Sequence, residues 1–265
     1  MSGEWLYFPV VGILAGLGAG MFGIGGGFII VAALSVLFAQ AGIGPGRVMH
    51  IAIGTSLASI VLTSVSSLLA HHRRGAVLWP VVRLMVPGIV VGTLMGAWLA
   101  GVMSTNSLRV VFGALAVVAA VQIGFDLRPA ATRTLPGRFG MNAAGLAIGA
   151  VSALAGIGGG AACNPFLLWC NVRIHNSVAT AAACGLPVAL AGTLGFVWFG
   201  WGSDGLPRFS SGYVYWPAVA GIASTSVLFA PVGAALAHAL PVLVLRRAFA
   251  VLLSFIGLRM CLGFF

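Results

Sequence analysis

The pentapeptide Gly23-Ile24-Gly25-Gly26-Gly27 recurs 133 residues downstream as Gly156-Ile157-Gly158-Gly159-Gly160, each time inside a long apolar run. Glycine costs about 1 kcal/mol against alanine in a helix interior, so consecutive glycines end a helix where hydropathy demands one. In a bilayer such an end is tolerated only against protein or beside a water-filled cavity. The two clusters therefore predict a duplicated membrane protein with two broken helices. Composition agrees: 60% of the residues are hydrophobic, 6% are charged and the mean hydropathy is +1.12, whereas soluble domains carry about 25% charged residues. The net charge of +10 raises nucleic acid as a partner. All 13 basic residues are arginines, however, mostly scattered singly or in pairs between apolar runs. Such charge sets membrane topology and does not grip a polyanion.

A crossing needs about 20 apolar residues, and six runs fit one each: 48–70, 76–102, 107–125, 176–201, 213–239 and 241–262. The runs 5–41 and 139–172 are too long for one crossing and short for two, and each has its glycine cluster near the middle. They are expected to form re-entrant or discontinuous hairpins. The fold class is thus an all-α polytopic membrane protein of two homologous halves, residues 1–125 and 139–265. Each half holds a glycine-broken hairpin and three transmembrane helices, and residues 126–138 form a cytoplasmic linker. The start, Met1-Ser2-Gly3-Glu4, has no basic segment, so no removable signal peptide is expected.

The halves align in three blocks. Gly12, Gly16 and the first cluster match Gly145, Gly149 and the second at an offset of 133. Gly54-Thr55 matches Ala179-Thr180 at 125. Gly75-x-Val77-x-Trp79-Pro80 through Phe112 matches Gly212-x-Val214-x-Trp216-Pro217 through Phe249 without gaps, at 137. If each hairpin enters and leaves on one side, each half crosses three times and the second half is inverted. With outward termini this puts nine arginines inside and four outside, against eight and five for parallel repeats of four crossings. The positive-inside rule favours inversion.

Gly18 to Phe28, His50-Ile-Ala-Ile-Gly-Thr-Ser56 and Trp79-Pro80-x-x-Arg83 in the first half, with the second cluster, Cys184-Gly-Leu-Pro187 and Trp216-Pro217, make a combination that resembles the TauE/SafE family of sulfite and organosulfonate exporters. The resemblance covers nearly the whole chain. It implies a carrier in the plasma membrane, the inner membrane of a bacterium, for a small sulfur oxyanion of the sulfite, organosulfonate or thiosulfate class. Uptake of such an anion, or of an unrelated small anion, is the alternative within transport, and a membrane enzyme or sulfur-relay protein the alternative class. The second Gly-Thr-Ser is reduced here to Ala179-Thr180-Ala181, and Val31-Ala32 stands where the family usually has Val-Pro. Fewer hydroxyls are therefore expected from the second half.

The expected substrate site follows from the clusters. A helix restarting after Gly27 or Gly160 offers unpaired N–H groups and a positive dipole end, and glycines at 25–27 and 158–160 let an anion approach the backbone. Close helix packing is the alternative reading, and it suits the ridges Gly12, Gly16, Gly20 and Gly88, Gly92, Gly96. Thr55, Ser56 and Thr180 offer hydroxyls unless they bond back to their own helices, and Asn164 is a costly amide in an apolar run. Arg83, His50 and His175 are candidates for attracting the anion, with snorkelling or interfacial placement as the alternative. His71-His72-Arg73-Arg74 reads as a basic turn without further role. The acids are Glu4, Asp126 and Asp204, all terminal or in loops, so coupling through an intramembrane carboxylate is not expected. Cys163, Cys170, Cys184 and Cys261 lack Cys-x-x-Cys spacing, so no cofactor, metal site or catalytic role is expected. The expected partners are the anion and the lipid bilayer, with a homodimer left open.

Overall fold

The computed structural model describes residues 6–22, 26–125, 134–239 and 242–263. Among these residues ten helices follow in order: α1 (Tyr7–Phe22), α2 (Gly27–Gln40), α3 (Val48–Arg73), α4 (Trp79–Val102), α5 (Thr105–Gly124), α6 (Arg138–Ala155), α7 (Gly160–Trp169), α8 (Ile174–Phe199), α9 (Trp216–Ala239) and α10 (Val242–Leu262). Two short antiparallel strands, β1 (Ser210–Ser211) and β2 (Val214–Tyr215), lie between α8 and α9. Among the described residues six helices are long and apolar enough to cross a membrane: α3, α4, α5, α6, α8 and α9. Here α6 joins the expected set at 18 residues, while α10, expected to cross, carries Arg246, Arg247 and Arg259 within its 21 residues.

The second long run breaks at its glycines, and in the first α1 ends at Phe22 and α2 starts at Gly27. Gly156 takes a left-handed φ of 62° and ends α6 with N–H bonds back to Ala153, and Ile157 bonds back to Ser152, the usual use of glycine after a helix. Gly23–Gly25 and residues 126–133 lie outside the described residues. At about 1.5 Å per residue, the 14-residue α2 and 10-residue α7 reach only about 21 and 15 Å, less than the roughly 30 Å hydrocarbon layer.

The halves interlock. Helix α1 packs on α9 and α6 on α4, while α3 pairs with α8 and α5 with α10. The contacts repeat with the sequence offsets. Gly12 faces the Ile222 carbonyl as Gly145 faces that of Met85; Gly16 faces Ser226 as Gly149 faces Ile89; Gly233 faces Leu17 as Gly96 faces Ala150. At each of these six places a Cβ would overlap backbone, so the glycine ridges let main chains touch. Corresponding helices α3 and α8 run antiparallel, with Gly54 beside Phe196, Leu57 beside Gly192 and Ser64 beside Gly185. Helix α3 forms the centre: 78% of its apolar window is buried, against 50% for α8 and 28% for α5.

Candidate functional site

The two glycine clusters meet at the centre of the molecule. A Cβ on Gly27, at the start of α2, would stand 2.6 Å from the Gly156 carbonyl oxygen and 2.8 Å from Ile157 Cα. Ser56, buried on α3, donates to that same carbonyl at 2.8 Å. The break between α6 and α7 is thus clamped between α2 and α3, and the first turn of α7 begins beside it.

From this junction a cavity of about 660 Å³ opens toward the Arg74 end of α3. Its wall on α3 carries Thr63, Ser64, Ser66 and Ser67; Gly158 and Gly160 contribute backbone; Val178, Ala182, Val227, Ala230 and Pro231 make an apolar wall; His71 and Arg74 also line it. Both halves build it. Thr63 donates back to the Ile60 carbonyl at 3.0 Å. The Ser64 hydroxyl, on a residue only 8% exposed, has no partner among the described residues. Gly160 opens α7, whose Cys163 N–H bonds to the Gly159 carbonyl at 2.8 Å, so the three N–H groups before it meet no helical acceptor and the positive dipole end lies at the cavity. Arg74 stands about 15 Å along the axis from Ser64 at 1.5 Å per residue, which leaves hydroxyls and N–H groups deep inside and positive charge at the mouth.

The other end of α3 is closed. Tyr213, buried in the loop between β1 and β2, accepts from Arg47 Nη1 at 2.7 Å and from Ser203 Oγ at 3.2 Å, with Arg47 also over its ring. The His50 ring lies 5.0 Å from that of Tyr213, and its Nε2–H reaches the Ala100 and Met103 carbonyls at 2.9 and 3.2 Å.

Of the residues expected to bind, Gly158 and Gly160 line this cavity. Gly25 lies outside the described residues. Gly26 packs on Ala15, whose carbonyl oxygen and Cβ fill the space a side chain would take, and Gly159 packs toward Val188 and Cys184. Thr55 and Thr180 are buried at corresponding positions with corresponding duties: Thr55 Oγ1 accepts the Tyr215 N–H at 3.0 Å and Thr180 Oγ1 accepts the Leu78 N–H at 3.1 Å. Each receives the amide just ahead of the other half's Trp-Pro helix. Ser56 is spent on Gly156 and His50 on the end of α4. Asn164 Oδ1 accepts from Ser177 Oγ at 2.6 Å. Arg83 and His175 are exposed, and neither lines the cavity. His71 and Arg74, read from sequence as an idle basic turn, stand in its lining. The hydroxyl run Thr63-Ser64-x-Ser66-Ser67 was also passed over, though four hydroxyls in five residues of an apolar span are a signal. Among the described residues no group of three potential metal ligands occurs.

Comparison with known proteins agrees with this architecture. The chain is 34% identical over 255 residues to a probable membrane transporter protein of Haemophilus influenzae, covering 96% of each chain. It is 26% identical over 250 residues to the probable membrane transporter protein YdhB of Bacillus subtilis, covering 90% of this chain and 93% of that one. A probable membrane transporter protein of Methanocaldococcus jannaschii is 23% identical over 212 residues, or 78% of this chain and 74% of that one. No solved structure matches. The family model described as sulfite exporter TauE/SafE matches residues 8–260, and the chain accordingly belongs to the TauE/SafE family of membrane transporters.

Proposed function

We propose that this transporter exports a small sulfur-containing oxyanion of the sulfite, organosulfonate or thiosulfate class, binding it in the cavity between α1, α3, α7, α8 and α9. The observation that carries the reading is the unpartnered Ser64 hydroxyl facing the same space as the backbone of Gly158 and Gly160. Hydroxyl and N–H donors with no carboxylate among them suit an anion.

The halves, residues 1–125 and 139–265, act as inverted repeats around this site. The antiparallel pairing of α3 with α8 and the twinned bonds of Thr55 and Thr180 support that arrangement. Arginine distribution puts the 126–138 linker and the Arg73-Arg74 end of α3 on the cytoplasmic side, so the cavity opens inward and loads from the cell interior. An anion leaving a negative cell moves downhill by about 2.3 kcal/mol per charge per 100 mV, and export therefore needs no coupling ion.

Titration of the purified protein with sulfite, thiosulfate, sulfate, sulfoacetate and taurine tests the reading. At least one anion should bind saturably, and Ser64→Ala should weaken it by about tenfold, the value of one charge-assisted hydrogen bond. Binding of none of them would refute it.

A further inference from the structure

Among the described residues three buried hydroxyl oxygens have no partner, Ser210 Oγ on half-buried β1 and two on fully buried helical residues. Thr93 Oγ1 on α4 and Ser152 Oγ on α6 are buried, both residues at 0% exposure, and neither makes a hydrogen bond. Serine and threonine in apolar helices ordinarily bond back to a carbonyl of the preceding turn, as Ser59 does to Thr55 and Thr193 to Ala189. Thr93 and Ser152 do not, and an unsatisfied buried hydroxyl in a native protein calls for a reason. They lie in one region. Thr93 Oγ1 stands 2.8 Å from the place of a Cβ on Gly149, one turn before Ser152, and Thr93 also faces Gly192 of α8.

The repeat supplies the reason. At the offset of 133, Ser152 corresponds to Ala19; at 137, Thr93 corresponds to Ala230. The paired contacts Gly12–Ile222 with Gly145–Met85 and Gly16–Ser226 with Gly149–Ile89 hold these offsets in three dimensions. Ala19 and Ala230 both line the open cavity. So do Ile60 and Gly185, which correspond to each other at the offset of 125 and mark where the two halves share the site. The hydroxyls of α3 have no such counterpart: Ser64 and Ser67 correspond to Ala189 and Gly192 on α8.

We infer that Thr93 and Ser152 are the oxyanion-binding hydroxyls of the opposite-facing state. When the Arg47 end opens and the halves exchange conformations, the walls now formed by Ala19 and Ala230 are formed by Ser152 and Thr93. Each state then draws its donors from a different place, α3 in the one and α4 with α6 in the other. The present state leaves the second pair waiting without partners. This rests on the inverted-repeat transport reading above.

The test compares the full chain with Thr93→Val combined with Ser152→Ala, in right-side-out and inside-out membrane vesicles, using labelled sulfite as the probe, with thermal unfolding of the purified proteins alongside. The expected result is a melting temperature above wild type, because unsatisfied hydroxyls are removed. The half-saturation for sulfite offered at the Arg47 face should rise at least fivefold, and the rise at the Arg74 face should be smaller. Ser152→Ala alone, which only deletes an oxygen, reads the same asymmetry if the double variant does not insert. Wild-type kinetics at both faces, an equal rise at both, or a lowered melting temperature would overturn the inference while leaving the transport reading intact. Absence of sulfite flux by the wild type would instead overturn that reading, and this inference with it.

Discussion

Substituting Gly27 by alanine probes the junction on which the site is built. The new Cβ would meet the Gly156 carbonyl oxygen at 2.6 Å and Ile157 Cα at 2.8 Å, both backbone of the second cluster. Ordinary contacts begin near 3.4 Å, so α2 and the α6–α7 break must separate by about 0.8 Å. Neither group is a side-chain end that can rotate away, and overpacking of this kind costs roughly 1–3 kcal/mol. Gly159 is the comparison within the same motif. Its Cβ would meet Val188 Cγ2 at 3.1 Å and the Cys184 carbonyl at 3.3 Å, a shortfall of a few tenths against a methyl and one carbonyl, so the expected cost is smaller than at Gly27. Gly44, with nothing within 4 Å of its Cβ position, serves as the neutral control. The assay is thermal unfolding of the three purified variants in one detergent, with Gly27→Ala expected several degrees below the other two. Equal melting temperatures for Gly27→Ala and Gly159→Ala, or the reverse order, would refute the cluster-on-cluster junction.

Thr55→Val and Thr180→Val should each lower stability, Thr55→Val by about 1–3 kcal/mol because it strands the buried Tyr215 amide and Thr180→Val by less because the Leu78 amide is half-buried; equal unfolding of variants and wild type in a thermal melt would contradict this. Selectivity should favour single charge. Desolvation penalises a dianion far more than a monoanion, and the charged side chain lining the cavity, Arg74, stands at its mouth, so methanesulfonate should bind at least about tenfold more tightly than sulfate, or about 1.4 kcal/mol. Calorimetric titration at neutral pH reads the ratio, and tighter sulfate binding would argue against an uncharged inner site. For topology, a cysteine at exposed Thr134 should react with an impermeant reagent only in inside-out vesicles; reaction in right-side-out vesicles would reverse the proposed orientation.

The spans were legible because a bilayer demands long apolar runs, and the breaks because glycine clusters contradict helix within them. The register was legible too: offsets read from Trp-Pro and Gly-Ala pairs reappear as the contacts of Gly12 with Ile222 and Gly145 with Met85. The duties of single hydroxyls were not. Thr55 lies 160 residues from the Tyr215 amide it accepts and Thr180 lies 102 from that of Leu78, and no local pattern announces a bond across the repeat. Gly26 and Gly158 look alike in sequence, yet one packs under Ala15 and the other lines a cavity. Ser64 and Ser67 carry no repeat signal, because Ala189 and Gly192 stand at the corresponding positions of the second half.

The central claim, that an anion occupies the cavity beside Gly158 and Gly160, is tested most directly by ligand protection. In a Cys261→Ser background, Ser67→Cys places a thiol in the cavity wall, and Thr134→Cys places one on the exposed surface. Labelling of the purified protein by a charged maleimide is followed with increasing methanesulfonate. The account predicts saturable slowing at Ser67→Cys, at least fivefold, with an unchanged rate at Thr134→Cys. An unchanged rate at Ser67→Cys when the anion is saturating would place the anion elsewhere and contradict the account.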